Sequence, residues 1–218
     1  MKIILSLLIS LISLAAYTNN IPYDYTGKGV IILNDETVLF GEIGYAQQHA
    51  LVTVKREEKT LTYSAQQVKL FQFYDQEHAL NRIFTSIVEE SRRTRLSNFK
   101  NKDFLEMVIV ADVMILRKEK KIIIEQVSQS ERGATLARNL SSNPVEAIGY
   151  DYYFSTKGQT AMLIKDFTKQ VVPHLSLACQ LQIEEFIKDG KMNLRKWKNQ
   201  YKILQHYTCL TPIQTASL

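Results

Sequence analysis

The stretch GVIILNDETVLFGEI, residues 29–43, decides the fold of the first half of the chain. Its β-branched and apolar residues favour strands, and Asn34-Asp35-Glu36 separates them into two runs. Asn and Asp suit a tight turn because they tolerate a left-handed backbone and hydrogen-bond to their own main chain. The stretch therefore predicts an antiparallel hairpin with strands at 29–33 and 37–43.

Short strand-forming runs with turn residues between them continue to about residue 164. They lie at 51–55, 60–63, 69–74, 82–88, 104–110, 113–117, 121–127, 150–155 and 159–164. The charged residues 56–59 predict a second hairpin with a solvated end. Strands do not alternate with helices along this region, so a parallel, doubly wound fold is not expected.

After Asp166 the period of the apolar residues changes from 2 toward 3.6, which indicates helices. Asp166 is a suitable N-cap for the first helix, Gly190 closes the second, and Asn193 caps a third. The predicted fold class is α+β. It consists of antiparallel β-hairpins, as a sheet or a partly open barrel, followed by a C-terminal bundle of two or three short helices.

The first residues, MKIILSLLISLISLAA (1–16), have the three parts of a secretory signal peptide. Lys2 precedes a 14-residue apolar stretch, and small residues allow cleavage after Ala15 or Ala16. A membrane-spanning helix needs ~20 apolar residues, and polar residues end this stretch sooner. We therefore expect a periplasmic, extracellular or cell-surface location, with no transmembrane span after the signal is removed.

Composition divides the chain into five parts. They are the signal peptide (1–16), an N-terminal β-rich region (17–88), a basic linker (89–103), a second β-hairpin region (104–165) and a C-terminal helical region (166–218). The linker is assigned because several Arg and Lys residues occur there with few large apolar groups.

The charge and the cysteine count exclude several classes of protein. The net charge is +5 at pH 7, from 27 Lys and Arg against 22 Asp and Glu, which is weaker than in a dedicated nucleic-acid binder. Two cysteines are too few for a disulfide scaffold or a four-cysteine zinc site. After export, Cys179 and Cys209 could form one disulfide, or they could remain two separate buried thiols.

The nearest approach to a catalytic or metal site is formed by Asp75, Glu77 and His78, just after the strand at 69–74. Two carboxylates and an imidazole can ligate a cation or share acid–base chemistry. Neighbouring loop residues seldom converge on one point, so the competing interpretation is a polar turn. The sequence has none of the common catalytic, phosphate-binding or zinc motifs, and it predicts no cofactor and no metal site.

Two sets of residues suit contact surfaces. The first is a basic stripe beside Trp197 with the helical spacing i, i+4, i+7 and i+11, formed by Lys191, Arg195, Lys198 and Lys202. It could meet anionic lipid, acidic glycan or an acidic protein, or it could be the solvated face of a docked helix. The second is the aromatic strand with Tyr150 and Tyr152, which could bind a sugar or a partner edge, or belong to the core.

Several sequence segments of the chain resemble segments of exported proteins of unknown function in Bacteroidota. These are GKGVIILNDETVLFGEI (27–43), TLTYSAQQVKLFQFYD (60–75), NRIFTS (81–86), YDYYF (150–154) and KDFTKQVVPHL (165–175). The resemblance implies a periplasmic or outer-surface location and an antiparallel β-rich body with a helical tail. It carries over no catalytic residues.

These observations together favour an exported, non-catalytic protein that acts in binding or in envelope assembly. Its expected partner is an envelope protein, a glycan or an anionic surface. The alternative is a secreted hydrolase with its site near Asp75, Glu77 and His78.

Overall fold

A computed structural model describes residues 23–90, 102–124, 145–156, 160–175 and 177–211. The predicted signal peptide at 1–16 and residues 91–101 of the predicted linker lie outside this range. The described chain is mostly β, with ten strands and three short α-helices near its C-terminal end.

The strands are β1 (Tyr25–Leu33), β2 (Val38–Ala46), β3 (Leu51–Arg56), β4 (Lys59–Ser64), β5 (Val68–Asp75), β6 (Leu80–Glu89), β7 (Lys102–Ile109), β8 (Val113–Ile124), β9 (Val145–Thr156) and β10 (Thr160–Leu163). The helices are α1 (Phe167–Gln170), α2 (Leu177–Asp189) and α3 (Trp197–Leu210), and short 3-10 turns occur at Gln47–His49 and Val172–His174. The described strands form a mixed sheet, because β10 pairs parallel with β6 while its pairing with β9 is antiparallel.

The predicted α+β class, with hairpins followed by short C-terminal helices, is confirmed only in part, because the described chain is mostly β and its first helix is a single turn. The run at 121–127, predicted as a separate strand, is the continuation of β8 through Ile124. Its charged residues do not break the strand, because β8 stays paired with β9 from Val113↔Thr156 to Ile124↔Val145. Lys120 and Lys121 form ion pairs with Asp151 and Glu146 across this ladder.

The described chain separates into two compact units, and the first contains residues 23–87 together with 102–104. Its strands run in the order β6-β5-β1-β2-β3-β4. The hairpin predicted from residues 29–43 is confirmed by the register Ile31↔Leu39, and Glu36 takes the left-handed turn position with φ 66°. β5 pairs with the other edge of β1, so β1 lies in the interior of this sheet.

Aromatic rings form much of the first unit's core. Phe71 stacks on Phe84 with ring centroids 4.8 Å apart, and the edge of Phe104 meets Phe71 at 5.0 Å. Tyr45 contacts the same rings and is fully buried. The residues of β5 alternate between core and solvent, since Phe71 and Phe73 are buried while Gln72 is exposed.

The second unit contains the described residues from 88 to 90 and from 105 to 211. It has β7–β10 and the three helices, and β10 pairs antiparallel with β9 and parallel with the end of β6, at Thr160↔Val88. The helices pack on one face of the β8–β9 ladder, where Ile115 and Phe154 share a core cluster with Ile183 and Leu204. None of the described helices is long and apolar enough to cross a membrane.

The helix ends agree only partly with the predictions. Asp166 caps α1 as predicted, accepting a hydrogen bond from the Lys169 N–H at 3.2 Å. The left-handed residue after α2 is Lys191, with φ 44°, instead of Gly190. Asn193 does not cap the last helix, which begins at Trp197. Its side chain instead accepts a hydrogen bond from the Arg195 N–H at 2.9 Å, within the connection before α3.

Candidate functional site

Asp75 lies at the end of β5 and organises the turn into β6. The residue is 5% exposed, and Oδ1 accepts hydrogen bonds from the N–H groups of Glu77 at 3.0 Å and His78 at 3.2 Å. The other oxygen, Oδ2, lies 3.0 Å from Nδ1 of His78. Both carboxylate oxygens are thus engaged inside the turn.

A buried arginine completes this arrangement. Arg82 is 4% exposed and places a guanidinium nitrogen 3.6 Å from Oδ2 of Asp75. Its guanidinium carbon lies 4.0 Å from the ring centroid of Tyr25 and 5.3 Å from that of Phe84, within the range of cation–π contact. Burial acts to raise the pKa of the Asp75 carboxyl, but the hydrogen bonds and charge of His78 and the charge of Arg82 outweigh it, so the pKa is lowered.

The predicted Asp75, Glu77 and His78 set is therefore only partly brought together. Asp75 and His78 are in contact, whereas Glu77 contributes its main-chain N–H to Asp75. A shallow depression of about 270 Å³ beside the turn is lined by both Asp75 and Glu77. Within the described ranges, no group of three His, Cys, Asp or Glu side chains is arranged to hold a metal ion. The geometry supports the polar-turn interpretation.

The second unit brings the two predicted contact surfaces together. Tyr152 of β9 stacks on Trp197 at the start of α3, with centroids 3.5 Å apart and planes inclined at 20°. Tyr150 lies 6.2 Å from Tyr152, and Tyr201 lies 6.1 Å from Trp197. We call these four residues the aromatic cluster. They connect the strand and the helix that the sequence indicated separately.

Arg117 is part of this site and was missed by the sequence analysis. Its guanidinium forms two hydrogen bonds to the buried Glu106, at 2.8 and 2.9 Å, and lies 4.6 Å from the ring centroid of Tyr150. Burial raises the pKa of Tyr152, and Arg117 opposes this in part. The charged run at 117–121 was visible in the sequence, but only the pairing Glu106↔Arg117 places this arginine against the rings.

The same ladder carries exposed apolar residues beyond the aromatic cluster. Ile148 precedes Tyr150 by two residues and lies on the same side of β9, since residues two apart in a strand share a face. Ile148 is 67% exposed, and Ile123, opposite Glu146, is 68% exposed. The β8–β9 ladder thus ends in a ribbon with apolar residues open to solvent.

Six cations lie close together in the sequence around the start of α3, and all six are exposed. We call them the basic segment: Lys188, Lys191, Arg195, Lys196, Lys198 and Lys202. None forms an ion pair with a residue that the structure describes. The predicted continuous helical stripe was wrong, because only Lys198 and Lys202 of the predicted four lie on α3. Lys191 and Arg195 belong to the connection before it.

Apolar side chains anchor the basic segment from inside. Met192, Leu194, Trp197 and Tyr201 pack against the second unit's core, while the cations between them point to solvent. The first turn of α3 contains no acidic residue, and its N-cap position, Lys196, makes no side-chain capping bond. No acidic side chain of this turn therefore offsets the charge of the cations.

The two cysteines are free thiols in the structure, with Cys179 buried in the second unit's core and Cys209 exposed on α3. The interpretation as two separate buried thiols fits Cys179 alone.

Comparison with known proteins assigns no family and no function to the chain. No protein-family model matches the chain, and neither a curated protein nor a solved structure is detectably similar to it.

Proposed function

We propose that the chain is an exported, non-catalytic protein of binding or envelope assembly, with the basic segment and the aromatic cluster as its contact surface. The observation that carries the proposal is the set of six exposed cations without a described counterion, held beside Trp197. Exposed cations that are not paired within a protein are available to an acidic partner. The partner is an envelope protein, a glycan or another anionic surface.

Export rests on residues 1–16, whose apolar stretch and small residues have the pattern of a cleaved signal. Cell fractionation combined with mass spectrometry of the N-terminus tests this part. The expected result is a chain outside the cytoplasm that begins after Ala15 or Ala16. A cytoplasmic chain with residues 1–16 intact would contradict it.

Binding is tested with vesicles that contain an anionic lipid and with a resin that bears an acidic polysaccharide. The variant changes Lys191, Arg195, Lys198 and Lys202 to Ala. The matched control changes four exposed lysines outside the proposed binding sites to Ala, namely Lys69, Lys121, Lys165 and Lys169, so both proteins lose the same charge. We expect the first variant to lose retention and the control to keep most of it, whereas equal retention of both would remove the basic segment from the proposal.

The hydrolase alternative is supported by one observation, the 3.0 Å contact between Asp75 and His78. Against it, the Asp75 carboxylate is buried and already accepts hydrogen bonds from its own turn. A general base needs an oxygen or nitrogen within reach of a substrate proton. The binding function is therefore the better supported of the two.

A further inference from the structure

The first unit has an open strand edge in the middle of its sheet. β2 pairs with β1 from Val38 onward, but its register with β3 begins only at Glu42↔Lys55. Residues 38–40 therefore have a strand neighbour on one side only among the described strands. Unpaired N–H and C=O groups along such an edge can accept an added strand.

A groove of about 490 Å³ lies beside this open edge, where β2 separates from the tip of the β3–β4 hairpin. Phe40 and Leu61 provide its apolar surface and are 68% and 41% exposed. Gly41 keeps the groove narrow at its inner end, since a Cβ there would lie 2.4 Å from the carbonyl oxygen of Lys55. We call this region the β2 fork.

The charge of the β2 fork is mainly positive. Lys55, Arg56 and Lys59 line it together with a single acid, Glu57. Arg56 and Lys59 stand directly opposite each other in the hairpin register, where like charges destabilise a cross-strand pair. None of the three cations forms an ion pair with a described residue. An anion placed at the hairpin tip would relieve this repulsion.

We propose that the β2 fork binds an extended segment of a partner protein in which acidic and apolar residues lie next to each other. The segment adds to the open edge of β2 through its main chain and places an apolar side chain against Phe40 and Leu61. Its carboxylate side chains meet Arg56 and Lys59. Side-chain cations suit acidic side chains, whereas terminal carboxylates are commonly held by backbone N–H groups, so the carboxylates are those of internal Asp or Glu.

This site lies in the first unit and does not depend on the contact surface proposed above. A second groove, of about 600 Å³, shares Phe40 and Gly41 with the fork and is lined by Lys28, Glu42 and Gln76. The two grooves offer room for several residues of an extended chain, at ~3.3 Å per residue. The exposed ring of Phe40 lies at their junction and is the residue on which binding depends most.

The test begins with a phage-displayed library of random peptides of ~12 residues, selected on the purified full chain. We expect the enriched sequences to contain Asp or Glu next to an apolar residue. A capped peptide made from the strongest sequence is then titrated by fluorescence anisotropy. Failure to enrich any sequence, or enrichment of sequences without acidic residues, would overturn the proposal.

Two variants test the groove itself. Phe40→Ser and the double change Arg56→Glu with Lys59→Glu are each expected to weaken binding by about tenfold or more, as for a central residue of an interface. Their matched controls, Leu181→Ser, which changes an exposed apolar residue, and Lys165→Glu with Lys169→Glu, which changes exposed cations outside both proposed sites, should stay within about twofold of the parent. All four should keep the parent's thermal unfolding midpoint within a few degrees, because every changed side chain is exposed. Unaltered affinity in both groove variants would contradict the site.

Strand addition and simple charge attraction give different outcomes in two further measurements. An added strand directs every second N–H toward its neighbour. N-methylation of the peptide nitrogens that face β2 should therefore abolish binding, whereas N-methylation of the alternate set, which faces away from β2, should not. Equal effects of the two sets would refute strand addition. Polyglutamate should compete poorly with the labelled peptide. If polyglutamate competed as well as the unlabelled peptide does, the β2 fork would be a cationic surface that binds anions without specificity.

Discussion

The Asp75 turn and the basic segment differ in the burial and pairing of their charged side chains. Asp75 and Arg82 are almost fully buried, and the Asp75 carboxylate is hydrogen-bonded and ion-paired inside its own unit. The cations of the basic segment are exposed and have no described counterion. Both regions were conspicuous in the sequence as groups of titratable residues. A structural charged residue therefore differs from a binding one in whether its side chain has a partner within the protein, and not in how many charged residues lie nearby.

The largest expected effect comes from Asp75→Ala, which removes the turn's hydrogen-bond acceptor and takes a carboxylate away from the buried Arg82. Removing one member of a buried pair typically costs ~3–5 kcal/mol in the free energy of unfolding. Urea denaturation of the variant and the parent measures this cost. His78→Ala, a change at an exposed residue of the same turn, serves as control and should cost much less. A loss below ~1 kcal/mol for Asp75→Ala, the size of an ordinary surface change, would mean that the turn is not organised by this carboxylate.

The next effect concerns the stack that holds the start of α3. Trp197→Ala removes the ring that stacks on Tyr152, and we expect a loss of ~2–4 kcal/mol because a partly buried aromatic side chain is truncated. Trp197 is the single tryptophan of the chain, so its fluorescence reports on the same contact. Tyr152→Leu should alter the emission spectrum of Trp197, whereas Tyr63→Leu in the first unit should leave it unchanged. An emission spectrum insensitive to Tyr152 would show that the stack does not form in solution.

A smaller effect should appear as a pH dependence of stability. The pKa of Asp75 is lowered in the folded chain, so its stabilising contribution is complete above the unfolded value of ~3.9 and is lost as the pH falls toward the folded value. The difference in unfolding free energy between the parent and Asp75→Asn should therefore be constant at neutral pH and shrink in acid. Denaturation series on both proteins, repeated in a His78→Ala background, measure this. A difference that grows in acid would reverse the assigned direction of the pKa shift.

Local chemistry explains which parts of the fold could be predicted. The hairpin at 29–43 and the Asp166 cap depend on neighbouring residues, and both occur as expected. The full length of β8 could not be predicted from its own residues, because the charged residues Lys118-Glu119-Lys120 suggest the end of a strand. The strand continues because it pairs with β9, where Asp151 forms an ion pair with Lys120. The start of α3 was missed because Leu194 has helical spacing yet packs from the preceding connection.

The candidate sites followed the same division. Asp75 and His78 are three residues apart, so their contact could be anticipated as a polar turn. The Tyr152–Trp197 stack and the place of Arg117 depend on strand pairing and helix docking across long stretches of sequence. The β2 fork was also hidden, since residues 56–59 suggested only a solvated hairpin end. Its groove arises because the register between β2 and β3 stops at Glu42↔Lys55.

The smallest expected effect on stability belongs to the basic segment, although its effect on binding should be the largest. Changing Lys191, Arg195, Lys198 and Lys202 to Ala removes exposed charges without described partners, so the free energy of unfolding should move by no more than ~0.5 kcal/mol per site. Reduced repulsion among the cations would make this change slightly stabilising at low salt and negligible at high salt. Denaturation at two ionic strengths, beside the vesicle and resin assays, measures both properties on one protein. A large loss of stability would mean that these cations have partners within the chain, and the contrast with the buried Asp75 carboxylate would then disappear.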